Sequence, residues 1–263
     1  MIEQPVIYAE DEAVALITLN RPRARNAIDS ALAADLAAAF TRAESDADIR
    51  AVVVTGTDPA FCAGLDLKEF ARLQQPPAGA SAVIAMAGEL TKPTIGAVNG
   101  PVMTGGLELA LGLDVLIASE QARFADTHAA VGILPGGGMT ARLPRVVGLG
   151  LAMEMSYTGR VIDAAEALRI GLVSSVVPHS DLFPAARAMA ATIASRDPAV
   201  LRELKKLYQA SSAGTLGEAL AHERRERDVR RSSGRGLVPN AGLATQRVAI
   251  PLERGQSRGR RIS

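Results

Sequence analysis

A chain of 263 residues with 48% apolar and 22% charged residues can build a sizeable core as a single large α/β domain, which excludes global disorder. The formal net charge of +1 is silent about acidic partners, and the single cysteine, Cys62, excludes an internal disulfide. Acidic residues precede the first apolar run and no apolar stretch approaches bilayer length, so a cytoplasmic protein with neither signal peptide nor membrane partner is expected.

Aromatic residues make up only 3%, with no Trp, so alanine, valine and leucine must fill the core. The first β-rich run is Ala13 to Asn20, followed by a loop. Ser30 then suits the N-cap of an alanine-rich helix reaching about Glu44. Ala51 to Gly56 is a continuous apolar run closed by glycine, the pattern of a strand buried on both faces. A loop at 58–66 leads to the short helix LKEFARL, and a breaker-rich QQPPAGA separates it from a helix at about Ser81 to Leu90. A strand at PTIGAVNG, a short helix at GGLELALG and a second buried-type strand from Val115 to Ser119 follow. FADTHAAVGILPGG reads as a strand end, a polar loop and a turn. Beyond Met139 the chain is mostly helical, with a late strand at SSVVP. Alternation of strand and helix predicts an α/β layer fold. The expected division is a core over residues 1–180 and a helical C-terminal region over 181–263. That region ends in a basic tail with Arg224, Arg225, Arg227, Arg230 and Arg231, read as a solvated, partly disordered segment.

Two stretches carry chemistry. In NGPVMTGGLELALG a buried strand ends at Asn99 and a helix starts near Gly105 and Gly106. The first N–H groups of a helix lack internal partners and lie at the positive end of its dipole, so they can hold an anion or oxyanion. The same glycine pair equally suits close helix–strand packing. Glu108 on this helix is flanked by leucines and glycines, and burial without a partner disfavours its charged form. That points to a general acid or base, unless an Arg or Lys from elsewhere pairs with it. FCAGLDLKEF repeats the design, with Ala63 and Gly64 before a helix that Asp66 could cap, and Lys68 or Glu69 on its solvated face. Cys62 has no activating neighbour and reads as a small packing residue. LPGGGMT lacks the lysine of a phosphate loop and reads as a tight turn that starts a helix. His128 is one of three histidines; without further context it reads as a polar loop residue.

Taken in order, FCAGLDLKEF, KPTIGAVNGPVMTGGLELAL, FADTHAAVGILPGGGMTARLPRVVG and TGRVIDAAEALRIGLVSSVVP resemble the crotonase, or enoyl-CoA hydratase/isomerase, superfamily. The resemblance runs from about Val6 to Leu220. It implies a crotonase-like spiral of β-β-α turns with a helical C-terminal region that supports homotrimers and homohexamers. It implies an acyl-CoA thioester as substrate, with no separate cofactor, no metal and no nucleic-acid partner. By motif position, the thioester oxygen would sit between the backbone N–H groups of Leu65 and Gly105. Coenzyme A would lie along Ala24, Ala63, Leu65, Asp66 and Leu67.

Typical hydratases of this family carry two glutamates. The first matches Glu108, but the position of the second reads Thr127-His128. Asp126, two residues earlier, could partly substitute if the segment stays extended. The leading expectation is an enoyl-CoA hydratase, a lyase in which Glu108 activates water and His128 supplies or orients a proton. Double-bond isomerisation is an alternative; family isomerases generally keep the second carboxylate rather than the first. A catalytically weak acyl-CoA binding protein is an alternative of another class. Nucleic-acid binding by the tail lacks the interleaved aromatics of a single-strand binder.

Overall fold

The computed structural model describes residues 4–233. Strands β1 (Val6–Asp11) and β2 (Val14–Leu19) form an antiparallel pair, and a tight turn at Pro22–Ala24 leads to helix α1 (Ser30–Ser45). Strand β3 (Ala51–Gly56), helices α2 (Leu67–Leu73) and α3 (Ala80–Glu89) and strand β4 (Thr94–Val98) come next. Then follow β5 (Pro101–Met103), α4 (Gly105–Gly112), β6 (Val115–Ser119), β7 (Arg123–Ala125) and α5 (His128–Val131). The rest comprises α6 (Met139–Val147), α7 (Leu149–Thr158), β8 (Ile162–Asp163), α8 (Ala164–Arg169), β9 (Ser175–Val177), α9 (Leu182–Ala194), α10 (Pro198–Ala213) and α11 (Leu216–Ser232).

Two sheets organise these elements. The larger runs β1-β2-β3-β4-β6-β9 and is parallel from β2 onward; the smaller runs β5-β7-β8. Successive turns of the chain place one strand in each sheet and then a helix: β4, β5 and α4, then β6, β7 and α5. This is the expected spiral of β-β-α turns. Parallel neighbours need a crossover, and here the crossover carries the small-sheet strand as well as the helix. The central strands are buried on both faces, as their unbroken Val, Ile and Ala runs require, with β4 buried at every residue. One core cluster lies beneath α1, α3 and α4; a second packs Leu182, Ala186, Ala190 and Ala194 of α9 onto the other face of the larger sheet. One compact unit extends to Lys206 and a second begins at Leu207.

Several local readings need correction. The N-cap of α1 is Asp29, whose carboxylate accepts from Leu32 N–H at 2.8 Å, while the Ser30 hydroxyl donates to Glu69 Oε1. Glu69 therefore anchors α2 to α1 rather than facing solvent. Strands β1 and β5 escape sequence reading because β1 alternates at an exposed edge and β5 has only three residues. His128 opens a short helix rather than lying in a loop. Arg224 to Arg231 lie on α11, not in an unstructured tail. A reciprocal Thr215–Glu218 capping box starts that helix, and its Glu, Ala and Arg residues are good helix formers. The remainder of the basic tail, beyond residue 233, lies outside the described residues. Among the described residues no helix is long and apolar enough to cross a membrane.

Candidate active site

The larger sheet delivers β4 to the polar turn Asn99–Gly100, and β5 then leads into Thr104 and the start of α4. Thr104 has φ +52°, ψ −113°, a conformation that a β-branched residue adopts only under constraint. Two contacts supply it: Thr104 N–H donates to Ala125 O at 3.0 Å, and its hydroxyl meets that of Thr127 at 2.6 Å. The strained turn leaves Gly105 N–H at the helix start with no acceptor among the described residues. The two glycines here divide the roles that the sequence left open. A Cβ on Gly106 would lie 2.2 Å from Cys62 O, so Gly106 is a packing glycine. One on Gly105 would sit 3.6 Å from Leu65 N, so its backbone faces the other loop.

Leu65 comes from the loop before α2. Its neighbours Ile28, Gly64 and Asp66 are paired, Ile28 N–H to Gly64 O and Asp66 N–H to Ile28 O, while Leu65 N–H itself donates to no described group. Gly64, at φ +94°, allows the approach, because a Cβ there would lie 3.0 Å from Met103 O and 3.3 Å from Gly105 N. Two free N–H groups from distant parts of the chain thus face one space.

Glu108, one turn into α4, is 3% exposed. Among the described residues it pairs with no Arg or Lys. Its Oε1 accepts from Gly137 N–H at 2.8 Å and Met139 N–H at 3.0 Å, so the expectation of an unpartnered buried carboxylate does not hold. LPGGGMT does start a helix, α6, and its main chain also grips Glu108. No local signal around Glu108 announces this. Oε2 points to His128, with Nε2 at 3.8 Å. His128 is 7% exposed, and its Nδ1 lies 2.6 Å from Oδ1 of Asp126. Asp126 is fully buried and also receives the Ser156 hydroxyl at 2.5 Å. Burial pushes the Asp126 carboxyl up, but hydrogen bonds from His128 and Ser156 outweigh it and hold the group below its ordinary range. Asp126 therefore stands at the Nδ1 edge of the His128 ring, away from Nε2.

A cleft of about 60 Å³ opens over this assembly, lined by Ala63, Leu65, Leu67, Thr104, Thr127, His128, Val131 and Ile133. Glu108 is not among the lining residues, and its Oε2 lies 3.8 Å from His128 Nε2. A larger, open hollow of about 290 Å³ between α1 and α3, around Phe40 and Met86, lies away from these groups. Ala24 closes the turn at Pro22–Ala24, and Ala63 N–H donates to the adjacent Arg25 O, so Ala24 and Ala63 stand on neighbouring loops. The Asp66 carboxylate caps α2 through Lys68 and Glu69 N–H and pairs with Arg21 at 3.0 Å. Burial raises the Asp66 carboxyl, but the Glu69 N–H and the Arg21 guanidinium prevail and lower it. Its side chain is thus fully engaged in holding the loop. Cys62 is fully buried and its thiol is pushed up to about 12 by that burial, in keeping with a packing role.

Comparison with known proteins agrees with this architecture. Residues 9–230 match the family model for enoyl-CoA hydratase/isomerase. A Mycobacterium bovis protein named a probable enoyl-CoA hydratase is 42% identical, over 86% of this chain and 89% of its own. The short-chain-enoyl-CoA hydratase of Clostridium acetobutylicum is 37% identical, over 83% and 86%. The crystal structure of an enoyl-CoA hydratase from Bacillus anthracis superposes with a TM-score of 0.81 at 36% identity, covering 86% of this chain and 90% of that one. On these matches, and on the spiral and the paired loops described above, the chain belongs to the enoyl-CoA hydratase/isomerase family, the crotonase superfamily.

Proposed function

We propose that the chain is an enoyl-CoA hydratase that adds water across the double bond of a trans-2-enoyl-CoA. The observation that carries this reading is the meeting of two unpaired N–H groups, Leu65 and Gly105, beside the buried Glu108–His128 pair. The two N–H groups polarise the thioester oxygen and stabilise the enolate-like charge that develops there; in other enzymes loss of one such donor costs roughly 10²–10³ in kcat. Glu108, held by Gly137 and Met139, takes a proton from water as the oxygen bonds to Cβ. The His128 imidazolium gives a proton to Cα. The C=C π bond is consumed, one C–O and one C–H bond form, and the proton on Glu108 returns to His128 Nε2 by way of a water, because the 3.8 Å between them is too long for direct transfer. This is proton and water transfer, so the thioester substrate is the only coenzyme required. Coenzyme A would follow the loops of Ala24, Ala63, Leu65, Asp66 and Leu67. A homotrimer or homohexamer is also proposed; exposed Leu149, Met153 and Tyr157 offer it an apolar face.

The test is loss of the conjugated thioester absorbance with short and medium trans-2-enoyl-CoA substrates. Glu108→Gln and His128→Gln should each lower kcat by roughly 10²-fold or more. Tight acyl-CoA binding without turnover of any such thioester would leave a binding protein in place of the enzyme.

A further inference from the structure

A carboxylic acid can exchange its proton through either oxygen. An imidazole in a given tautomer offers one nitrogen as acceptor and the other as donor. A histidine that does a carboxylate's work therefore needs a partner that decides which nitrogen faces the substrate. Asp126 occupies the position of such a partner. It is fully buried, and its Oδ1 accepts from both His128 Nδ1 at 2.6 Å and His128 N–H at 3.2 Å. Its Oδ2 accepts from Ser156 on α7 at 2.5 Å. An ionised carboxylate can only accept, so the proton between Asp126 and the ring belongs to Nδ1. Nε2 is left as the exchanging atom, and Nε2 is the nitrogen turned toward Glu108.

Resting on the hydratase reading for its catalytic consequence, we infer that Asp126 is a positioning residue, steadied by Ser156, that keeps His128 in the Nδ1–H tautomer and so commits Nε2 to proton transfer at Cα. Asparagine at this site can instead donate to Nδ1, which permits the Nε2–H tautomer and blocks the cycle. The logic is that of the buried aspartate behind a catalytic histidine in hydrolases, here supporting addition of water to an alkene.

The experiment uses full-length protein labelled with 15N-histidine, with the His128 signals identified by their loss in His128→Gln. Neutral wild-type His128 should show a protonated Nδ1 and a bare Nε2. Asp126→Asn should move the proton to Nε2 and lower kcat by roughly 10²-fold or more, with affinity for a saturated acyl-CoA changed less than about threefold. Ser156→Ala, which keeps the Asp126–His128 contact, should shift the His128 Nδ1 resonance and lower kcat by about three- to tenfold. An unmoved tautomer in folded Asp126→Asn, or kcat within about threefold of wild type, would overturn the positioning role. If Asp126→Asn does not fold, an unchanged resonance and unchanged kcat in Ser156→Ala overturn it as well. Should wild type hydrate no enoyl thioester, the hydratase reading falls, while the nitrogen spectra still decide the tautomer.

Discussion

Gly137→Ala puts the grip on Glu108 to a direct test. The main-chain N–H that holds Oε1 survives this substitution; only a methyl group is added. That methyl carbon would stand 2.8 Å from Glu108 Oε2, 3.0 Å from its carboxyl carbon and 2.4 Å from Ile84 Cγ2. Ordinary contact begins at 3.4 Å, so the carboxylate must retreat by about 0.6 Å and Ile84 by about 1 Å, or the turn must open. Overpacking of this kind costs about 1–3 kcal/mol of stability. A catalytic group displaced by 1 Å can lose about 10²-fold in rate, so the smaller shift of Glu108 predicts roughly tenfold or more. The assay is steady-state hydration of a short enoyl-CoA, run beside a thermal melt. The expected result is a folded protein with reduced kcat and little change in KM. A folded Gly137→Ala enzyme with kcat within twofold of wild type would show that the packing around Glu108 has no bearing on catalysis.

The lowered carboxyl of Asp126 predicts a definite pH dependence of stability. A group whose folded pKa lies below its unfolded value contributes stability above the unfolded value, about 3.9, and loses it as pH falls through the folded one. The difference in urea midpoint between wild type and Asp126→Asn should therefore be full at pH 7 and close as pH falls below about 4; a constant difference down to pH 2 contradicts it. Cys62, with its thiol raised to about 12 by burial, should resist a thiol reagent at pH 8 in the native protein and label fully in denaturant. Rapid stoichiometric labelling of the native protein would show that the loop before Leu65 opens.

Local pattern carries far in this chain. The elements α4 and β6 coincide with GGLELALG and VLIAS because each is a dense apolar run closed by glycine or polar residues, and such punctuation acts within a few residues. Ordered motifs likewise point to the spiral, to Glu108 and to the two loops that present N–H groups. What local pattern cannot supply is partnership. Nothing beside Glu108 in the sequence announces Gly137 and Met139, and nothing in FADTH marks Ser156 as the second donor to Asp126. The loop before α2 meets the start of α4 because Cys62 pairs with Val102 and Gly64 permits a close approach. Side-chain type and short-range spacing are local, so the order of residues names those able to do chemistry. Which of them meet follows from the folded chain, because hydrogen bonds, burial and the unpaired N–H groups are set by contacts between strands and helices far apart in the chain.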